Sequence, residues 1–248
     1  MAKCHLLMKK EDIDGNQLDG KIAVVFDVLL ATSTITAGLY HGAKEVVPVL
    51  NGDDALAEAA DREESNCLLV GEYEGLTLKG FLNPSPLQLK ERVRDKTMIL
   101  STTNGTVAVR KATPAKKVYV ASLLNGEAVA KQIKEKYSNE TVVVICSGSA
   151  GAFNLEDFYG AGYFLDCLAE EDGDLEFTDA ARAAMYFYRG NSNRPEEMLH
   201  LSRVGEMLTR FGLHEDVCFV SQRGIFPIVP YLKDGAIVLE NRGIHANE

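Results

Sequence analysis

Oxygen-bearing side chains follow four apolar runs of this sequence, at the points where a strand would give way to a turn or a helix. In chain order they are Asp27, Glu72, the hydroxyl-rich segment 101–106, and the small-residue segment 147–151 that leads to Glu156 and Asp157. Carboxylates are the ligands that Mg²⁺ prefers, and backbone N–H groups in the first turn of a helix bind phosphate. The pattern therefore indicates a site for a phosphate group and a hard cation.

The segment 97–109 is the most informative of the four. A short β-branched run ends in Ser101-Thr-Thr-Asn-Gly-Thr106 and then in a helix-forming stretch, which predicts a strand, a tight turn and a helix N-terminus. The hydroxyls and Asn104 are hydrogen-bond donors, and Gly105 permits a close backbone approach. An ordinary helix N-cap uses the same residue types, so the ligand-binding interpretation depends on the other strand ends.

Strands and helices alternate along most of the chain. The predicted strands are 4–8, 22–28, 46–50, 67–70, 97–101, 117–120 and 141–146, followed by 217–220, 228–231 and 236–239. The predicted helices begin near residues 31, 51, 87, 105, 125 and 154, and 174–210 is mostly helical; 72–84 is a loop. This alternation predicts the α/β class: a mainly parallel sheet with helices on both faces, and an α+β C-terminal part. Ligands bind at the carboxyl ends of such strands, so the four polar segments are expected at one edge.

Length and charge narrow the function classes. The 248 residues carry a net charge of −10, which argues against nucleic acid and acidic membranes as partners. No apolar run approaches the roughly 20 residues that span a bilayer, and no signal peptide is expected. We predict one domain over 1–248, with a subdivision near 170–193 left open. A cytoplasmic protein with buried free thiols is expected, and a homodimer is a further expectation.

Several known chemistries fail a residue-by-residue comparison. Gly148 and Gly151 lack the lysine of a P-loop, and the arginine of a cysteine-phosphatase loop is absent after Cys146. Val25-Phe-Asp27 is similar to the nucleophile motif of haloacid-dehalogenase phosphatases, but Leu29 replaces their second acid. The five histidines are scattered and none has metal-ligand spacing with another, so zinc ligation is not expected.

The polar segments also carry a resemblance. The matching segments are Phe26-Asp-Val-Leu-Leu-Ala-Thr-Ser-Thr-Ile35, Gly71-Glu72, Ser85-Pro86-Leu87, Thr102-Thr-Asn-Gly-Thr106, Cys146-Ser-Gly-Ser-Ala-Gly-Ala-Phe-Asn-Leu-Glu-Asp157, Gly160-Ala-Gly162, and the stretch from Ser202 to Pro230. Through them the sequence resembles the 2-phosphosulfolactate phosphatase family over nearly its whole length. The resemblance implies an α/β fold, Mg²⁺ dependence, and hydrolysis of the phosphate ester of a sulfonated hydroxy acid on the route to coenzyme M or related sulfonates.

Two positions depart from the family pattern. Leu30 stands where the family usually has arginine, and Asn83-Pro84 stands where it usually has Gly-Asn. Arginine is the natural bidentate partner of phosphate or sulfonate. A phosphatase of changed specificity and a non-catalytic anion-binding protein are therefore the alternatives. The arginines that could replace the missing one are Arg182, Arg189, Arg203 and Arg223.

The leading hypothesis is a phosphoric monoester hydrolase that acts on a small anionic phosphorylated substrate with Mg²⁺ as cofactor. The expected metal ligands are Asp27, Glu72 and Asp157. The expected catalytic residues are Asp27, Asn104, Glu156 and Asp157. The expected phosphate-binding residues are Thr32, Ser33, Ser101, Thr103, Gly105, Thr106, Ser147 and Gly148. Direct attack by water is favoured, and a covalent phospho-enzyme is the alternative.

Overall fold

The computed structural model describes residues 3–170 and 175–240. The strands are β1 Lys3–Leu7, β2 Ile22–Phe26, β3 Glu45–Val49, β4 Cys67–Tyr73, β5 Leu76–Thr77, β6 Thr97–Ser101, β7 Lys117–Ala121, β8 Val142–Cys146, β9 Glu176–Phe177, β10 Pro230–Lys233 and β11 Ala236–Leu239. The helices are α1 Ala31–Tyr40, α2 Gly52–Ala60, α3 Pro86–Leu89, α4 Gly105–Lys111, α5 Gly126–Lys136, α6 Leu155–Glu170, α7 Asp179–Asn191, α8 Pro195–His200, α9 Arg203–Arg210 and α10 His214–Val220. None of the helices in these ranges has both the length and the apolar character needed to cross a bilayer.

The strands form one mixed sheet in the order β5-β4-β6-β3-β11-β10-β7-β2-β8-β1-β9. Strands β4, β6 and β3 are parallel to one another, and so are β7, β2, β8, β1 and β9. The β10–β11 hairpin lies between these two blocks and pairs antiparallel with both. The predicted α/β class with a mostly parallel sheet is confirmed, and the C-terminal hairpin supplies the α+β part.

The hairpin makes the two parallel blocks run in opposite directions, so the expectation of a single parallel edge is wrong. The polar segments after β2 and β6 nevertheless meet. Neighbouring strands twist by about 20–25°, and this rotation accumulates over the steps from β2 to β6. Helices α1 and α4 contact strands of both blocks, and the first residue of α4 packs against the first residue of α1.

Both faces of the central strands are buried. Along β2, Val24 and Phe26 pack into one hydrophobic cluster with α5 and α6, whereas Ala23 and Val25 pack into a second cluster with α1 and α4. Alternate residues of a strand point to opposite faces, so the predicted covering of the sheet by helices on both faces is confirmed. This packing holds the carboxyl end of β2 rigidly.

Two local predictions are wrong. Residues 217–220, Val-Cys-Phe-Val, are predicted as a strand, but they form the end of α10. Leu213, Val217 and Val220 are buried at helical spacing. The expected loop 72–84 begins instead with a hairpin of β4 and β5, whose turn residues Glu74 and Gly75 both have positive φ, as a type I′ turn requires.

The single-domain prediction for 1–248 stays a prediction. Residues 171–174, at the start of the boundary left open near 170–193, lie outside the described residues. Cys4 and Cys146 are buried free thiols as expected, whereas Cys67, Cys167 and Cys218 are only half-buried.

Candidate active site

Asp27 follows the last residue of β2, and its backbone is held by the turn into α1. The Asp27 N–H donates to the Thr32 hydroxyl at 3.0 Å, and that hydroxyl donates back to the Asp27 carbonyl at 2.9 Å. The Ser33 hydroxyl donates to the Val28 carbonyl at 2.8 Å. Thr32 and Ser33 are fully buried, and their hydroxyls serve this turn, so their predicted contact with phosphate stays a prediction.

Two helices begin at the Asp27 carboxylate. The N–H of Ala31, the first residue of α1, donates to it. Gly105, the first residue of α4, lies so close that an added Cβ would be 2.6 Å from Asp27 Oδ2 and 2.5 Å from the Ala31 Cβ. Glycine at position 105 is therefore required by this close approach. The partial positive charge of helix N-termini favours an anion at this point.

Glu72, near the end of β4, holds the turn between β6 and α4. Its Oε1 accepts the Thr103 N–H at 2.7 Å, and its Oε2 accepts the Thr103 hydroxyl at 3.1 Å and the Gly75 N–H at 2.7 Å. Both carboxylate oxygens are thus engaged by the two turns. This acid, predicted as a metal ligand, also lies on the wall of the candidate cavity.

Lys10 is a site residue that the sequence interpretation missed. It is buried just after β1, and its Nζ donates to Asn104 Oδ1 at 2.8 Å and pairs with Glu11 at 3.0 Å. Its charge, like the hydrogen bond from the Ala31 N–H, lowers the pKa of the Asp27 carboxyl, whereas burial and the neighbouring acids raise it. Lys9-Lys10 closely follows the first strand, so the polar end of that strand was the signal that could have identified it.

Asp157 connects two turns beneath the site. Its Oδ1 accepts the Val28 N–H at 2.8 Å, and its Oδ2 accepts the Gly148 N–H at 3.1 Å. Gly148 has a φ of +62°, and an added Cβ would lie 2.5 Å from the Ala152 carbonyl oxygen. Asp157 therefore has a positioning role in this structure, fixing the β2 and β8 turns relative to each other.

Glu156, beside it, is buried with neither carboxylate oxygen hydrogen-bonded within the described residues. The hydroxyl of Ser202, a neighbour of Glu156, donates to the Leu199 carbonyl at 2.7 Å. The buried Ser147 hydroxyl likewise has no partner in that part of the chain. Buried polar atoms without partners are rare in folded proteins. The Glu156 carboxylate and the Ser147 hydroxyl are therefore candidate ligand-binding groups, and the ligand that suits a carboxylate is a cation.

The crowded carboxyls perturb one another. Burial, followed by the charges of Glu72 and Glu156, raises the pKa of Asp27 to about 7. Burial raises the pKa of Glu156 to about 7, and burial together with Asp27 and Glu156 raises the pKa of Asp157 above its ordinary value. A bound cation would relieve this repulsion, so the charge arrangement fits a cation site.

A cavity of about 640 Å³ opens in front of Asp27. The predicted residues on its wall are Asp27, Glu72, Thr103 and Asn104. Ser149, Leu30 and Pro84 also line it, and α9 forms much of the opposite wall. The two positions that depart from the family pattern thus face the ligand space.

Other predicted residues are absent from this wall. Besides Thr32 and Ser33 they are Ser101, Gly105, Thr106, Ser147, Gly148, Glu156 and Asp157. Thr106 is buried and its hydroxyl donates to the Thr102 carbonyl at 3.0 Å. Gly105 acts through its closeness to Asp27, as described above, and the remaining roles predicted for this group stay predictions.

Of the four arginines considered from the sequence, Arg203 lines the cavity. It is the first residue of α9, and its Nη2 donates to the Ser149 hydroxyl at 3.0 Å. Arg189 pairs with Asp166 at 2.5 Å, and Arg223 donates to the Tyr188 hydroxyl at 2.5 Å. Arg203 therefore supplies the cavity with a guanidinium where Leu30 cannot.

The fold and the cavity together define an α/β protein that brings anion-binding donors and cation-seeking carboxylates into one site. Residues 7–235 match the family model described as 2-phosphosulpholactate phosphatase. The chain belongs to this family, so the resemblance described from the sequence is confirmed.

Curated relatives agree over nearly full length. The chain is 39% identical over 246 residues to a protein of Clostridium perfringens strain SM101, covering 98% of each chain. It is 36% identical over 240 residues to one of Clostridium beijerinckii, covering 96% of this chain and 100% of the relative. A third, from Symbiobacterium thermophilum, is 38% identical over 225 residues, covering 90% of this chain and 96% of the relative. Each of the three is named "Probable 2-phosphosulfolactate phosphatase".

Proposed function

We propose that this protein is a phosphoric monoester hydrolase that converts 2-phosphosulfolactate and water to sulfolactate and phosphate. The carrying observation is the group of mutually repelling carboxyls around Asp27 at the wall of a cavity that also presents Arg203. The names of the full-length relatives support the same substrate. They do not favour the non-catalytic alternative. We further propose that the enzyme acts in the cytoplasm.

Mg²⁺ is the cofactor that this set of oxygen ligands fits. Asp27 and Glu72 would hold it from the cavity wall, and Glu156 offers two carboxylate oxygens that have no hydrogen-bond partner among the described residues. Asp157, whose oxygens accept two backbone N–H groups, would orient the site and act as a further ligand. The bound ion would neutralise charge that develops on the transferred phosphoryl group.

Protein residues would bind the phosphoryl group, accept the proton of the attacking water and bind the rest of the substrate. Backbone N–H groups and the Asn104 amide at the start of α4 would bind the phosphoryl oxygens, with Lys10 holding Asn104 in place. Asp27 or Glu156 would accept the proton of the attacking water. Arg203, across the cavity, would bind the sulfonate or carboxylate of the substrate.

The first test is phosphate release from 2-phosphosulfolactate and from other phosphorylated hydroxy acids, with Mg²⁺ and with EDTA. We expect release with Mg²⁺, loss of release in EDTA, and recovery when Mg²⁺ is restored. A preference for a phosphorylated carboxylate over 2-phosphosulfolactate would reassign the substrate and implicate Leu30. Folded protein that binds these esters but releases no phosphate would overturn the proposal.

Replacing Arg203 with Gln should raise KM for 2-phosphosulfolactate by about 10–100-fold, with a smaller effect on kcat. A hydrogen bond to a charged group contributes about 1.5–3 kcal/mol. The proposed bond from Arg203 is to the sulfonate or carboxylate of the substrate, which is not the reacting group, so binding should suffer more than the chemical step. Steady-state kinetics of the purified variant would measure it. Arg182→Gln, on the exposed face of α7, is the control, and equal KM values for the two variants would remove Arg203 from substrate binding.

A further inference from the structure

A second cluster of potential ligands lies outside the cavity, on helices α8 and α10. Glu196 and His200 are four residues apart on α8, and His214 and Cys218 are four residues apart on α10. Residues at this spacing share a helix face, so the packing of α8 and α10 brings two pairs together. Comparing the histidines only with one another in the sequence does not identify these pairs, in which each histidine is joined by a glutamate or a cysteine.

The distances within the cluster match those of a tetrahedral metal site. Cys218 Sγ lies 3.5 Å from His214 Nε2, 3.8 Å from His200 Nε2 and 3.2 Å from Glu196 Oε1. With Zn–S near 2.3 Å and Zn–N near 2.0–2.1 Å, a tetrahedral angle separates S from N by about 3.6 Å. All four candidate ligand atoms lie within 4.8 Å of one another, so a single ion could reach each of them with small side-chain movements.

Thr209 on α9 provides the outer support that metal-binding histidines usually have. Its hydroxyl donates to the Gly205 carbonyl at 2.9 Å and lies 3.2 Å from His200 Nδ1. Because the hydroxyl hydrogen is already used, the oxygen accepts from Nδ1–H. That tautomer leaves the lone pair of Nε2 directed at the cluster.

We infer that Glu196, His200, His214 and Cys218 bind one Zn²⁺ in a closed, structural site. Binding would release the Cys218 thiol proton to solvent and form the Zn–S bond, with no change of oxidation state. Thiolate and imidazole ligands select zinc over magnesium, so this site is chemically distinct from the carboxylates around Asp27. Four protein ligands leave no open position for a reacting water, which makes the ion structural.

The cluster on α8 and α10 flanks helix α9, which forms a wall of the cavity. His200 ends α8 and His214 begins α10, so an ion between them closes the loop that contains α9. Helix α9 lines the cavity and carries Arg203. Zinc at this cluster would therefore fix the cavity wall opposite Asp27, whichever phosphate ester is the substrate.

Cobalt(II) titration of the full chain tests the inference directly. We expect a thiolate-to-cobalt charge-transfer band, together with the visible absorption of tetrahedral cobalt, that saturates at one ion per chain and disappears when Zn²⁺ is added. Oxygen ligands around Asp27 produce no thiolate band, so the signal identifies a site that contains a cysteine, and the variants below assign it to Cys218. Folded wild-type protein without that band would overturn the proposal.

Variants locate the ligands. Cys218→Ser should abolish the charge-transfer band, and His214→Gln should weaken Zn²⁺ binding by more than about 10-fold. The control is Cys67→Ser, at a half-buried thiol on β4, which should keep both the band and the Zn²⁺ affinity of the wild type. Thr209→Val, the positioning change, should weaken Zn²⁺ binding about 10-fold without removing the band. Zn²⁺ should raise the Tm of the wild type and of Cys67→Ser but not of Cys218→Ser. A band that survives in folded Cys218→Ser would exclude the assigned site.

Discussion

Asp27→Asn is expected to lower kcat/KM for phosphate release by about 10²–10⁴-fold. The amide cannot accept the proton of the attacking water and is a poorer ligand for Mg²⁺, while its size and its place between α1 and α4 are unchanged. The measurement is phosphate release at saturating Mg²⁺. Asp19→Asn, at an exposed turn, is the matched control and should keep full activity.

The same substitution has a second readout, the pH dependence of the free energy of unfolding. The pKa of Asp27 is raised from 3.8 to about 7 in the folded protein, mainly by burial. Between these two values the folded state holds a proton that the unfolded state has lost, so the stability of the metal-free wild type falls as pH rises through this range. The amide side chain of Asp27→Asn cannot ionise, so the stability of the variant escapes this loss.

Denaturant unfolding in EDTA at about pH 5 and about pH 8 measures the difference. The free energy of unfolding of Asp27→Asn minus that of the wild type should increase by on the order of 2 kcal/mol from the lower to the higher pH. Mg²⁺ at the higher pH should restore the wild type. Unchanged activity in the variant would remove Asp27 from the mechanism, and a pH-independent difference would show that its carboxyl is not the crowded group described here.

Gly105→Ala is the other substitution with a large expected effect. Its Cβ would lie 2.5 Å from the Ala31 Cβ and 2.6 Å from Asp27 Oδ2, which forces the starts of α1 and α4 apart. We expect a loss of about 1–3 kcal/mol in the free energy of unfolding from overpacking. We also expect about a 10²-fold loss of kcat/KM, because a displacement of about 1 Å at a catalytic group has that effect.

Gly190→Ala is the matched control for this prediction. Gly190 is also a helical glycine, on α7, and an added Cβ there meets no atom within 4 Å. Alanine is the better helix former by about 1 kcal/mol, so this variant should be as stable as the wild type or more so, with full activity. If Gly105→Ala behaves in the same way, the close approach of α4 to Asp27 does not constrain the site.

The sequence predicts the elements better than it predicts their arrangement. The alternation of strands and helices, and the polar residues at or just after the ends of β2, β4, β6 and β8, follow from local patterns and agree with the structure. The antiparallel insertion of β10 and β11 between β3 and β7 depends on contacts between distant parts of the chain. No local periodicity encodes such a contact, which is why the local patterns predict one parallel edge.

The site shows the same division between local and tertiary information. Asp27, Glu72, Thr103 and Asn104 reach the cavity wall as their motifs suggest. Thr32, Ser33 and Thr106 share those motifs, but their hydroxyls bond to nearby backbone, a use that residue type alone does not distinguish. Lys10 and Arg203 become part of the site only through packing, and so do the paired ligands of α8 and α10.

The β10–β11 hairpin also constrains when the molecule can be assembled. The two parallel blocks of the sheet are joined only through this hairpin among the strands of the described residues, and its strands are synthesised after all the others named above. A nascent chain on the ribosome therefore carries two incomplete half-sheets with exposed edges until residue 239 has emerged. Contacts between parts of the chain so far apart slow folding, and open edges favour association with other chains. Production of the protein should consequently be sensitive to chaperones that shield such edges during translation.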